Sequence, residues 1–228
     1  MPAPGTTLPE PITDTALAAG TVIGWPTPPA APYAERMLNP SYPLRTDRLT
    51  LRPFTEDDLH PLHAIHRLPE VARYLYGEAH DLEQTRAALA KKITFAALTD
   101  EGQALSLAVQ LTTTGELVGD ATLFWHSRTH RSGEIGYVFH PGHHGNGYAT
   151  ETARVLLRLG FEELGLHRIT GRLDGRNHAS ARVLERLGMR REAHLVENEF
   201  VKGEWTDEVI YAMLRREWDA HPLTKESR

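Results

Sequence analysis

The sequence predicts an α/β fold: a mixed, largely antiparallel central sheet with a parallel crossover, flanked by helices. Three observations carry that expectation. The alternating runs "LSLAVQL" and "LVGDATLFW", separated by the turn signal "TTTGE", read as an antiparallel hairpin. The strand-like "GEIGYVFH" leads through an amphipathic helix to the short strand "HRITGRL", which is the order of a parallel crossover. The run "EFVKGEWTDEVIYAML" then reads as a closing hairpin that turns at Lys202 and Gly203.

Taken in order, residues 1–43 hold most of the fifteen prolines, and "WPTPPAAP" sustains neither a helical nor a strand period. This is a Pro/Ala-rich N-terminal arm, read either as a tail or as a strap anchored by Trp25 and Tyr33. The folded domain is expected over residues 44–218, with 219–228 as a C-terminal tail. It opens at "LRTDRLTLRPFT", where Leu49, Leu51 and Pro53 alternate with Arg48, Thr50 and Arg52 as in a half-buried strand. Thr55 caps a helix, with Asp58 in place of the usual capping-box Glu, and Leu59, Leu62, Ile65 and His66 follow at helical spacing. Asp81 and Gln84 start a second helix carrying Leu82, Ala87, Leu89 and Ile93. Beyond the three strands, Ala149, Ala153, Leu156, Leu157, Gly160, Phe161 and Leu164 share one helical face, and Gly165 supplies the stop. "NHASARVLERLG" is a short helix ending at Gly188.

At 228 residues the chain suits one domain, and 40% hydrophobic with 24% charged residues is an ordinary globular balance. A formal net charge of −5 argues against direct nucleic-acid binding and against an anionic membrane surface. No apolar run is long enough to cross a bilayer, and a cytoplasmic location is expected. There is no cysteine, so disulfides, thiolate metal sites and acyl transfer through an enzyme-bound cysteine are excluded. Thirteen histidines invite a metal reading, yet no H-E-x-x-H or similar grouping occurs and no metal is expected.

The chemistry concentrates in "HPGHHGNGYATETA", a glycine turn between a strand and a helix start. Such a turn aims backbone N–H groups at one spot, and the helix dipole adds positive potential there, so the ligand is an anion, foremost a phosphate. Gly145 and Gly147 permit close approach or positive φ, and His143 and His144 stand at the rim as further donors. A Walker loop requires a lysine followed by Ser or Thr, where Tyr148 and Ala149 stand. A dinucleotide fingerprint would put Thr150 in its third glycine slot and would not follow antiparallel hairpins.

From "LRTDRLTLRPFTEDDL" to "EVIYAMLRREW" the chain resembles the GNAT (GCN5-related N-acetyltransferase) superfamily, and within it the RimJ/RimL-like branch that acetylates ribosomal proteins. The matching pieces are "GELVGDATLF", "GEIGYVFHPGHHGNGYATETARVLLRLGFEELGLHRI", "NHASARVLERLGMRREA" and "GEWTDEVIYAMLRREW". Gly142 departs from the Gln or Arg that usually opens the family's pyrophosphate loop. The resemblance implies the acyl-CoA N-acyltransferase fold, with acetyl-CoA as co-substrate and an amine as acceptor. It implies that the backbone at Tyr137, Val138 and Phe139 faces the pantetheine arm or the acetyl carbonyl. It further implies that residues 143–150 (His143, His144, Gly145, Asn146, Gly147, Tyr148, Ala149, Thr150) cradle the phosphates, and that Asn177 bonds the pantetheine, although Asn is also a good helix cap.

Acyl transfer to an amine needs a base for the amine, donors for the oxyanion and a proton for the departing thiolate. The tyrosine that many members use as the acid is Leu184 here. By the branch pattern Ser180 inherits that role, its alternative being a hydroxyl that ties helix to backbone. The branch pattern makes Glu199 the base, with Glu134 next and Glu197 and His140 as further rivals. Acceptor-facing surface is expected from about residues 66–100 and from the hairpin near 197–206. The acceptor is a protein N-terminus or a small-molecule amine. A hydroxyl acceptor, a longer acyl group and a non-catalytic CoA-binding module stand as alternatives, and the chain is expected as a monomer or homodimer.

Overall fold

The computed structural model describes residues 36–221. The arm as far as residue 35, with Trp25 and Tyr33, lies outside the described residues, as does 222–228. Among the described residues, eight strands form one sheet in the order β1-β2-β3-β4-β5-β6-β8-β7. They are β1 (Leu44–Arg45), β2 (Leu49–Arg52), β3 (Ala104–Leu111), β4 (Leu117–Ser127), β5 (Ser132–Phe139), β6 (Arg168–Asp174), β7 (Arg190–Val201) and β8 (Glu204–Leu214). Every neighbouring pair is antiparallel except β5 and β6, which run parallel. The helices are α1 (Leu59–His66), α2 (Pro69–Ala72), α3 (Leu82–Thr94), α4 (Tyr148–Arg158), α5 (His178–Arg186) and α6 (Arg215–Ala220). The expected mixed sheet with one parallel crossover is what the chain forms.

The parallel pair is short, and its shortness shapes the molecule. β5 and β6 are in register only from Ser132–Arg168 to Glu134–Thr170. Past that point β5 continues on β4 as far as Phe139, and β6 continues on β8 as far as Asp174. The two strands therefore splay into a V, and the β6-facing edge of β5 beyond Glu134 keeps its N–H and C=O groups unpaired by sheet.

Residues opposite one another in register share a face of the sheet. Asp120, Phe124, Glu134, Val138, Arg172 and Glu208 thus fall on one face, the face on which α1 and α3 bury Leu59, Leu62, Ile65 and Leu89. The opposite face carries Ile135, Phe139, Ile169 and Tyr211 and packs against Leu156, Leu157 and Phe161 of the crossover helix and the turn after it. Leu38, ahead of the first strand, is also buried and exchanges two 2.8 Å backbone hydrogen bonds with Leu98.

Local chemistry explains the element ends. Asp81 accepts from Gln84 N at 2.7 Å while Gln84 accepts from Asp81 N at 2.9 Å, a complete capping box for α3. Asp58 accepts from Thr55 N at 2.8 Å, but the first turn after Thr55 is a 3₁₀ turn, Glu56–Asp58, with α1 proper behind it. The turn between β7 and β8 has φ 52° at Lys202 and 85° at Gly203, as a two-residue hairpin requires. The crossover helix widens into a π-turn over Leu159–Glu163 before the left-handed Gly165 ends it. β7 starts at Arg190, well before the hairpin tip, and most of its side chains are exposed on both faces, so it shows no alternation for a sequence reading to detect.

One buried ionic cluster braces α1 and α3 on the sheet. Asp120, 4% exposed, accepts from Lys92 Nζ at 2.8 Å and from His66 Nε2 at 2.7 Å. Burial alone would push the Asp120 carboxyl up; the Lys92 ammonium and the His66 contact overcome this and hold it far below the usual carboxylate range. A carboxyl depressed in the folded state stabilises above its unfolded value of about 4, and that stability is lost as pH falls through the folded value. Asp120→Asn leaves the half-buried Lys92 ammonium without its partner, and a loss of about 3 kcal/mol is expected in denaturant unfolding at neutral pH. The difference from wild type should shrink in acid.

Candidate active site

The glycine turn leaves β5 through a 3₁₀ turn at Pro141–His143 and enters α4 with Gly145 at φ 81° and Gly147 at φ 79°. Both glycines are required, because side-chain-bearing residues rarely adopt this left-handed backbone. Among the described residues, no acceptor takes the N–H of Gly145, Asn146 or Gly147, and the first bond of the helix is Glu151 N to Gly147 O at 3.1 Å. Tyr148, Ala149 and Thr150 therefore begin α4 with the free amides that every helix start leaves. The outcome is a run of donors at the positive end of an eleven-residue helix.

The rest of the chain holds this run in place. His143 Nε2 meets Glu116 Oε1 at 3.1 Å, and His144 Nε2 donates to Phe139 O at 3.1 Å. Asn146 turns its amide back onto the loop, donating to His143 O at 3.1 Å. Arg48, from the loop before β2, donates to Asn146 O at 2.8 Å and to Glu151 Oε2 through Nε at 2.8 Å and Nη2 at 2.6 Å. Its guanidinium also lies 5.0 Å from the centroid of the Tyr148 ring. Burial would raise the Glu151 carboxyl, and the hydrogen bonds from Thr46 and Arg48 pull it below its ordinary value. Arg48 is a clamp that the sequence reading missed.

A cleft of about 590 Å³ runs along the open edge of β5 to this turn. Tyr137, Val138 and Phe139 line it from the strand; His143, His144, Gly145, Gly147, Tyr148, Ala149 and Thr150 line it from the turn; Asn177 and Ser180 line it from the start of α5. Of the residues named for the cofactor, Asn146 alone is not part of the lining. Asn177 caps α5, accepting from Ser180 N at 3.1 Å, and the half-buried Tyr137 donates through its hydroxyl to Ser180 O at 3.4 Å. Burial pushes the Tyr137 phenol well above its ordinary value. Leu184, in the slot of the family's tyrosine, is 2% exposed and packs against Gly171 of β6, so no hydroxyl stands there.

A second cavity, of about 320 Å³, opens on the α1–α3 face and is lined by Glu134, Glu199, Glu208, Arg172 and Tyr76 among others. The Tyr76 hydroxyl donates to Glu199 Oε1 at 2.7 Å, while burial and that contact push the phenol up to about 12. Arg172 pairs with the buried Glu208 and stands 3.8 Å from Glu199; hydrogen bonding to Glu208 raises its already high value. Asn198 donates to the other Glu208 oxygen at 2.9 Å. Glu134, at the last paired position before the V opens, meets His126 Nε2 at 3.3 Å. The two cavities share Arg73, Tyr74 and Leu75, the segment after α2. Lys202 Nζ, donating to Ala72 O at 2.6 Å, ties that segment to the β7–β8 hairpin.

The rivals fall elsewhere. Glu197 has φ 48° and donates its N–H to Asp207 at 2.9 Å, outside the lining of either cavity. His140 lines a third hollow with Asp58 and Gln110, and its Nδ1 accepts from Gly142 N at 3.1 Å. Among the described residues no group of three or more His, Asp or Glu side chains could hold a metal ion, and no helix is long and apolar enough to cross a membrane.

A sheet splayed at the parallel pair β5–β6 thus sets an amide-lined turn, suited to an anion, at the mouth of the V, with a carboxylate-lined cavity behind a shared wall. Residues 48–190 match the family model described as "Acetyltransferase (GNAT) domain", and the chain belongs to this family of N-acetyltransferase enzymes. The N-acetyltransferase YoaA of Bacillus subtilis, named as uncharacterized, is 34% identical over 172 residues, covering 75% of this chain and 96% of its own. A GNAT-family acetyltransferase crystal structure from Bacillus anthracis is 31% identical with a TM-score of 0.69, covering 76% of this chain and 99% of that one. Spermidine N-acetyltransferase from Vibrio cholerae, solved with CoA and spermine, shares the fold at 24% identity and a TM-score of 0.65, covering 76% and 99%.

Proposed function

We propose that the chain takes acetyl-CoA into the larger cleft and passes its acetyl group directly to an amine that enters the smaller cavity, in a ternary complex. The observation that carries this reading is the unpaired edge of β5 beyond Glu134, which ends in the unbonded amides of residues 145–150. An extended amide chain with a diphosphate at one end fits that edge and that turn as an added strand fits a sheet. Open space within 4 Å of where a Gly145 side chain would begin agrees with a ligand's close approach. When bound, acetyl-CoA supplies an activated carbonyl and a thiolate leaving group.

The chain's own residues supply the rest. Backbone N–H groups on the open edge of β5 are placed to donate to a carbonyl oxygen as charge builds on it. Glu199 acts as general base, with Tyr76 donating to its Oε1 and the other oxygen left to take the proton of the incoming amine. Glu134, in the same cavity at the apex of the V, is the alternative base. Ser180, on the cleft wall, serves as proton source for the thiolate, directly or through water.

The acceptor is a primary amine of either of two kinds. The RimJ/RimL-like motif match supports a protein N-terminus; the likeness to spermidine acetyltransferases, including one from Escherichia coli at 23% identity over 174 residues, supports a small polyamine. A panel of N-terminal peptides, polyamines and amino-acid amides, followed by CoA thiol release, separates them. Saturable turnover with at least one amine is the expected result, and tight CoA binding with no turnover on any amine would overturn the proposal.

The Arg48 clamp yields a further expectation. Arg48→Ala should weaken acetyl-CoA affinity about tenfold in calorimetry, because Glu151 loses its charged partner beside the turn, while the rate at saturating co-substrate changes little. Unchanged affinity would remove Arg48 from the account.

A further inference from the structure

The helix α5 carries more positive charge into the larger cleft than a diphosphate on the glycine turn uses. Arg182 and Arg186 both line that cleft, one helical turn apart on the face that also presents Ala179 and Val183. Both are exposed, and among the described residues neither makes an ion pair or a hydrogen bond. Arg73 stands on the α2 side of the same cleft, 5.2 Å from the Tyr74 ring centroid. Among the described residues that line the cleft, Glu70 is the one carboxylate. In a chain of net charge −5 this is a local excess of cations, and two unpaired guanidinium groups at this spacing repel each other in the absence of an anion.

An arginine is a fork of donors suited to a phosphate, and two of them surround a phosphate dianion better than they serve a single negative charge. A CoA whose diphosphate sits on the amides of residues 145–150 carries one further phosphate, the monoester on its ribose 3′ oxygen. We infer that Arg182 and Arg186 hold this 3′-phosphate, so that the enzyme selects CoA over dephospho-CoA. The inference rests on the acetyl-CoA reading above and adds the residues that choose among adenine nucleotide thioesters. The diphosphate contact is made by backbone and is indifferent to the ribose; the discrimination falls on two side chains of α5.

Calorimetric titration of the full chain with CoA and with dephospho-CoA tests this directly. Wild type is expected to bind CoA at least about tenfold more tightly, with the preference falling as salt rises. The double variant R182Q/R186Q should bind dephospho-CoA as wild type does and lose the preference, whereas R182K/R186K should keep part of it. Equal wild-type affinity for the two ligands overturns the inference while leaving the acetyl-CoA reading intact, as does a preference that survives in the glutamine variant. Absence of binding to either ligand overturns both. Because the wild-type comparison needs no substitution, the outcome does not depend on how the variants fold.

Discussion

Gly147→Val is expected to weaken acetyl-CoA binding by about a hundredfold. Gly147 sits at φ 79°, where an L side chain costs about 1–2 kcal/mol and a β-branched one more. A Cβ there would make only an ordinary contact with Arg48, whose Nη2 lies 3.5 Å away, so the cost is that of the backbone. Relief of that strain rotates the peptide units that aim the amides at the ligand. Losing one charge-assisted hydrogen bond, worth about 1.5–3 kcal/mol, together with part of the strain, reaches the roughly 2.7 kcal/mol that a hundredfold represents. Gly145→Val, at φ 81° with nothing within 4 Å of a Cβ, carries the same strain and adds a side chain in the space the ligand would take, so it should weaken binding at least as much. Calorimetry with a parallel thermal melt checks both. Full affinity in a folded Gly147→Val protein would refute the turn as the diphosphate site.

Glu199→Gln should lower kcat by about a hundredfold or more, the ordinary scale for removing a general base, and leave the Kd for acetyl-CoA within about twofold. The two effects separate because Glu199 lines the second cavity and not the cofactor cleft. Glutamine still accepts from Tyr76, so the geometry survives and only the basicity is lost. The deficit should be larger for a lysine-like amine, protonated up to a pKa of about 10, than for an α-amine near 8. It should also narrow as pH rises, since an amine already deprotonated needs no base. Full turnover in Glu199→Gln would pass the role to Glu134, which Glu134→Gln then tests in the same assay.

The sequence made the turn legible because everything it needs is local: two glycines at positive φ, a strand before and an amphipathic helix after. The capping boxes and the Lys202–Gly203 hairpin were legible for the same reason. Arg48 was not, since its partner carboxylate lies 103 residues away, and nothing in "RTDRLT" signals a clamp. Tyr76 and Glu199 are separated by 123 residues, and their contact exists only because the hairpin reaches the segment after α2. Glu208 looks like any strand carboxylate in sequence; its burial against Arg172 follows from the register of β6 and β8. The splay of the sheet was equally hidden, because no residue pattern says where a parallel pair stops.

The most direct test follows backbone amides by hydrogen exchange, residue by residue, with and without CoA. N–H groups from Gly145 to Thr150, and those on the open edge of β5 past Glu134, are expected to exchange freely in the unliganded chain and to become protected at saturating CoA. Protection confined to other parts of the chain, with these amides unchanged, would contradict that expectation.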